Sequence, residues 1–192
     1  RQDNPPVRAH LPMAPGPFNW IDHRAQPLVL ATLTVLLVGR TAWLFHMDRT
    51  LVSDAAPNGI VSFELAGSLE RSEAILQSWS GMAHSTALLV QGFDYLYLVI
   101  YPAWFSLATI LLGANLGGRW QTGGLVIGWS VLATAPLDAV ENCALIQQLL
   151  EGADANSAAL ALWCALAKFG LIAVSIAFLL LASGAWVARR ST

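Results

Sequence analysis

The chain has 192 residues, 56% of them hydrophobic and only 11% charged, with a formal net charge of −2 and a mean hydropathy of +0.56. Soluble domains carry about 25% charged residues, so an ordinary soluble domain is excluded. The acidic balance supplies no basic stripe of the kind nucleic acid requires, and no nucleic-acid partner is expected.

Residues 1–26 are polar and proline-rich and contain no apolar stretch of the signal-peptide type, so they read as an N-terminal polar segment. Four apolar runs follow, at residues 27–45, 86–112, 124–150 and 158–187. Each meets or exceeds the roughly 20 residues that cross a bilayer as a helix. The links at 113–123 (GANLGGRWQTG) and 151–157 (EGADANS) are short, and short links make neighbouring helices antiparallel. The expected fold is therefore an all-α membrane protein. It is a four-span antiparallel transmembrane helix bundle over 27–187, with a tail at 188–192.

The connection at 46–85 is too long to be structureless in a compact protein. Its segment 68–79 (SLERSEAILQSW) predicts a helix, with Ser68 as N-cap and Glu70 and Glu73 in the early turns. Ser72, Ile75, Leu76 and Trp79 fall on one side. This extra amphipathic helix between spans 1 and 2 either lies on the bilayer or covers the bundle mouth. His46 and His84, beside Met47 and Met82, flank the connection. Imidazole and thioether suit copper, which makes the two histidines weak metal candidates against a plain interfacial role.

Charged residues inside the spans carry the functional argument, because an ionisable group in hydrocarbon costs several kcal/mol unless paired or hydrated. The first span holds Arg40. The second holds a polar stripe of Gln91, Asp94, Tyr97 and Tyr101. The third places Thr134, Asp138, Glu141 and Asn142 on one face, since residues three and four apart are helix neighbours. The fourth carries Cys164, Lys168 and Ser175 on one side. Counting from the turns at Gly118 and Asp154, at 1.5 Å per residue, brings Arg40, Asp94, Asp138, Glu141 and Lys168 to one layer. That layer sits toward the end of the spans where the long connection lies. Pro136 predicts a kink beside it.

Two cations then face three carboxylates and leave one negative charge. That favours a shared proton, a bound cation or an outside partner. Three uses suit such a layer: an ion-pair network that fixes helix register, a binding site for a polar ligand, lipid headgroup or ion, and an enzyme site. In the last case Glu141 or Asp138 would act as base on a lipid or isoprenoid substrate. The Asp138-x-x-Glu141 spacing is not accompanied by Glu-x-x-His, so a di-iron site is excluded, and the sequence names no cofactor. Cys143 and Cys164 lack metal or redox spacing and read as two buried thiols.

Arginine placement sets the expected orientation. Arg1, Arg8, Arg24, Arg119, Arg189 and Arg190 share one side, whereas Arg49 and Arg71 lie among Asp48, Asp54, Glu64, Glu70, Glu73, Glu151 and Asp154 on the other. By the positive-inside rule both termini are cytoplasmic and the long connection faces outward. A bacterial inner membrane fits this plan. Of the two functional uses the binding reading leads over the enzyme, and with it the chain is a ligand-binding or accessory subunit of a membrane complex, or a homo-oligomer. Trp20, Trp43, Trp120, Trp163 and Trp186 mark span ends. Gly113 to Gly117 and Gly124 to Gly128 have the GxxxG spacing that lets helices approach, within or between chains.

Overall fold

Uninterrupted apolar sequence and short polar links produce seven helices in the computed structural model, which describes residues 16–191. Arg1, Arg8 and most of the 1–26 segment lie outside the described residues, as does Thr192 at the end of the tail. The helices are α1 (Gln26–Asp48), α2 (Ile60–Glu64), α3 (Leu69–Ser78), α4 (Met82–Leu116), α5 (Gly118–Val131), α6 (Thr134–Glu151) and α7 (Ala155–Arg190). Among the described residues there is no strand. Four stretches are long and apolar enough to cross a membrane: α1, α4, the combined α5–α6 and α7. This is the plan of a multi-pass membrane protein.

The helices outrun the apolar runs at both ends. α4 has 35 residues and α7 has 36, so each is about 50 Å long, well beyond the roughly 30 Å hydrocarbon layer. The glycine-rich stretch at 113–123, read from the sequence as a short turn, is mostly helix. Only Gly117 separates α4 from α5. It reverses the chain with φ at +67°, a backbone conformation open to glycine at little cost.

The third span divides between Val131 and Thr134. Pro136 has no N–H to offer the Leu132 carbonyl one turn earlier, and this is the physical origin of the break. The Thr134 hydroxyl donates to the Val131 carbonyl at 2.7 Å and closes the gap locally. Pro102, by contrast, sits inside an unbroken α4.

α4 is the hub. It packs against α1, α5, α6 and α7, and α6 packs along α7. The GxxxG spacing serves this packing within the chain. A Cβ on Gly113 would lie 2.5 Å from the Trp120 carbonyl oxygen, one on Gly128 would lie 2.7 Å from Ile110, and one on Gly124 would run into the Thr109 carbonyl. We therefore expect Gly124→Ala to destabilise the fold by about 1–3 kcal/mol through overpacking. Gly170 meets nothing within 4 Å, and Gly170→Ala should be neutral or slightly stabilising. Denaturant unfolding of the two variants in detergent checks the contrast.

The largest apolar core lies beneath the long connection. Leu51, Phe63, Ile75 and Trp79 from the connection are buried with Val90 of α4 and Leu145 and Leu149 of α6. The rings of Phe63 and Trp79 meet edge to face at 5.4 Å, and the Trp79 indole donates to the Leu51 carbonyl at 2.8 Å. Ser68 caps α3 by accepting from the Arg71 N–H. Ser72 and Ile75 of α3 point inward and are buried. Cys143 departs from expectation. It is exposed on α6, and its thiol lies 3.1 Å from the Tyr95 hydroxyl, while Cys164 is buried.

Candidate functional site

α4 and α6 run side by side, and the three-and-four spacing on each directs its polar stripe at the other. α1 and α7 add one cation apiece. The Arg40 guanidinium donates to Asp94 Oδ1 at 3.0 Å, and the Asn142 amide donates to Asp94 Oδ2 at 3.0 Å. The Lys168 ammonium lies 2.8 Å from Asp138 Oδ1 and 2.9 Å from each Glu141 oxygen. The Tyr101 hydroxyl donates to Asp138 Oδ2 at 3.0 Å. All five charged residues predicted to share a layer are thus brought together, along with Asn142 and Tyr101.

Supporting residues divide. The Tyr97 hydroxyl pairs with Thr41 of α1 at 2.9 Å, and its ring lies beneath the Arg40 guanidinium, which Trp43 also faces. Gln91 is buried but its amide nitrogen has no hydrogen-bond partner. Thr134 is buried, yet its hydroxyl serves the helix break rather than the charges. Ser175 is bonded to its own helix at the Leu171 carbonyl.

Glu64, counted in the sequence only with the carboxylates on the side of the long connection, joins the cluster in the structure. The connection folds back over the helix ends, and α2 delivers Glu64 to 3.7 Å from the Lys168 ammonium. Three features hold α2 there. Ile60 and Phe63 are buried in the core below it. The Asp48 carboxylate accepts from the Ile60 N–H at 2.7 Å. Gly59 has φ at +54°, and any Cβ there would collide with Asp48. Glu64 itself is only 7% exposed. Burial pushes its carboxyl up from the usual 4.5 to about 7; Lys168 opposes that rise, and Asp94 and Asp138 add to it. The signal was present in the sequence: Ile60, Phe63 and Glu64 share one helical face, bracketed by Gly59 and Gly67.

With Glu64 included, four carboxylates face two cations, and the cluster carries two formal negative charges if all are ionised. Four of these groups, not including Arg40 and Glu141, line a cavity of about 350 Å³. Glu64, Asp94, Asp138, Lys168 and two tyrosines form its polar part, and Leu37, Leu44, Phe105, Phe169 and Ile172 form apolar walls. α1 rests on α4 and has no comparable packing against α7. Leu37 of α1 and Phe169 and Ile172 of α7 line the cavity and are themselves partly exposed.

The histidine pair does not assemble. His84 Nε2 is bonded to the Leu149 carbonyl at 2.8 Å, Met47 packs against the core and Met82 is 78% exposed. No group of three or more His, Cys, Asp or Glu suited to a metal occurs among the described residues. Compared with known proteins, the chain matches no family model, no curated protein and no solved structure.

Proposed function

We propose that this chain is a multi-pass membrane protein that binds the polar head of a bilayer amphiphile in the charged cavity, its apolar chain leaving between α1 and α7. One observation carries the reading: a 350 Å³ cavity combines charged groups, from Glu64, Asp94, Asp138 and Lys168, with apolar walls that include the partly exposed Leu37 of α1 and Phe169 and Ile172 of α7. A ligand pocket of some 300–1,000 Å³ with a few convergent polar groups is the usual form of a small-molecule site. A purely structural ion-pair network has no need of such a space, since helices pack to near-crystalline density where nothing intervenes.

In this reading the spans form an antiparallel bundle and the termini are cytoplasmic, as the arginines favour. The membrane is a bacterial inner membrane. α2 and the amphipathic α3 cover the outer end of the cluster. Arg40 holds Asp94, Lys168 holds Asp138 and Glu141, and Tyr101 sets the position of the Asp138 carboxylate. The protein works alone, as a homo-oligomer or as an accessory subunit of a membrane complex. Binding is favoured over catalysis because Asp138 and Glu141, the carboxylates that would act as base, are both held by the Lys168 ammonium at 2.8–2.9 Å.

Native mass spectrometry of the protein extracted in mild detergent from its own membrane tests this. A bound amphiphile at one per chain is expected. Ile172→Trp, which narrows the cavity, should remove it while leaving the fold intact. A wild-type chain carrying no amphiphile, or an Ile172→Trp chain that keeps it, would overturn the reading.

A further inference from the structure

We infer that the head group this cavity accepts is a cation, an alkylammonium or its quaternary analogue, carried on an apolar chain. This rests on the amphiphile reading above and names the chemistry of its ligand.

The charge on the cavity wall is lopsided. Three carboxylates line it, from Glu64, Asp94 and Asp138, and Lys168 is the one cation in the lining. Arg40 is not part of that lining. It sits behind Asp94, stacked on Trp43 and Tyr97, and opens instead toward the other side of α1. The Lys168 ammonium has three donors, and Asp138, Glu141 and Glu64 surround it at 2.8–3.7 Å. Two donors are taken by Asp138 and Glu141, and the third faces Glu64 at 3.7 Å in an ion pair, so an anionic head would reach the ammonium only by displacing a carboxylate. A phosphate or carboxylate placed here would meet three carboxylates at close range in a low-dielectric site, where like charges repel strongly.

Aromatic faces complete the preference. Tyr97, Tyr101, Phe105 and Phe169 line the same cavity; Arg40 lies over one face of Tyr97 and Lys168 over one face of Phe169, so these two rings already hold cations here. The face of an aromatic ring is negative, and rings combined with carboxylates are the ordinary recognition chemistry of ammonium groups. The hydroxyls of Tyr97 and Tyr101 are already engaged with Thr41 and Asp138, so both rings are held in place. Leu37, Leu44 and Ile172 then offer the first part of the hydrocarbon chain a dry path toward the bilayer. An incoming cation also lowers the negative excess of the cluster, which no anionic or neutral head does.

The test uses the full chain in maltoside micelles and three probes of equal chain length: dodecyltrimethylammonium, dodecyl phosphate and dodecanol. Titration is followed by native mass spectrometry and by the thermal midpoint. The expected result is saturation by the ammonium at one per chain, at least tenfold tighter than either other probe. Phe105→Leu and Phe169→Leu keep the apolar volume but remove the ring faces. Each should weaken the ammonium about fivefold and leave dodecanol unchanged. Asp94→Asn should weaken the ammonium further, and the two Phe variants stand in for it if loss of the Arg40 partner prevents folding. Preferential binding of dodecyl phosphate, or equal binding of ammonium and dodecanol, would overturn the cationic head and leave the amphiphile reading standing. If none of the three binds, the amphiphile reading itself falls.

Discussion

Lys168→Met is expected to destabilise the folded chain by about 3–5 kcal/mol, the largest effect of any single change in the cluster. Lys168 is 4% exposed and its ammonium is the shared partner of Asp138, Glu141 and Glu64. Methionine fills nearly the same volume, so little packing is lost. What remains is three buried carboxylates with no cation among them. Breaking a buried pair from one side leaves uncompensated charge, which is far more costly than removing both partners. The double variant Lys168→Met with Glu141→Gln removes a carboxylate along with the ammonium and should recover at least half of the loss. A double-mutant cycle on unfolding in mixed micelles reads the coupling directly. If the single and double variants unfold alike, Lys168 and Glu141 do not interact as the 2.9 Å separation requires. The same pair of variants separates the binding reading from a catalytic one. An enzyme would lose turnover in Glu141→Gln even where the fold is kept, whereas a binding site would lose occupancy in proportion to the change in charge.

The four spans were legible because each apolar run exceeds the hydrocarbon thickness, a property of composition that tertiary packing does not alter. The charged layer was legible for a related reason. A helix rises at a fixed 1.5 Å per residue, so positions counted from a turn become depths. Arg40, Asp94, Asp138, Glu141 and Lys168 met as counted, with Asn142 and Tyr101 beside them. Glu64 escaped the same arithmetic. It lies in a connection, where sequence distance says nothing of depth, and its surroundings come from the core that Leu51, Phe63 and Trp79 build over the helix ends. The cavity was illegible too. It exists because α1 leans on α4 and stands off from α7, and that depends on which helix faces fit together, not on where the charges fall. Thr134 reaches the cluster through its backbone: its hydroxyl, next to a helix break, is claimed by the Val131 carbonyl, while its own carbonyl accepts from Tyr101 at 3.4 Å.

Glu64 supplies the second large effect, in how stability depends on pH. Its carboxyl sits at about 7 in the folded chain against the usual 4.5, chiefly because it is buried. Below 4.5 the group is neutral in both folded and unfolded chains, and its full contribution to stability is present. Between 4.5 and 7 the unfolded chain has released the proton and the folded chain keeps it. The unfolded state then binds fewer protons, so stability falls as pH rises through this window. Above 7 both states are ionised and the loss is complete. At about 1.4 kcal/mol per pH unit the loss amounts to roughly 3 kcal/mol. Glu64 faces Lys168 of α7, Asp138 and Glu141 of α6 and Asp94 of α4, with Asp48 at the end of α1 and Tyr101 alongside. Glu64→Gln keeps the shape and removes the titration. The wild-type thermal midpoint should drop by several degrees more than that of Glu64→Gln between pH 5 and pH 8. The two proteins should differ least in slope above pH 8. Identical slopes across the window would place Glu64 in contact with water, and α2 would then be an exposed turn rather than the arm that carries the fourth carboxylate into the cavity.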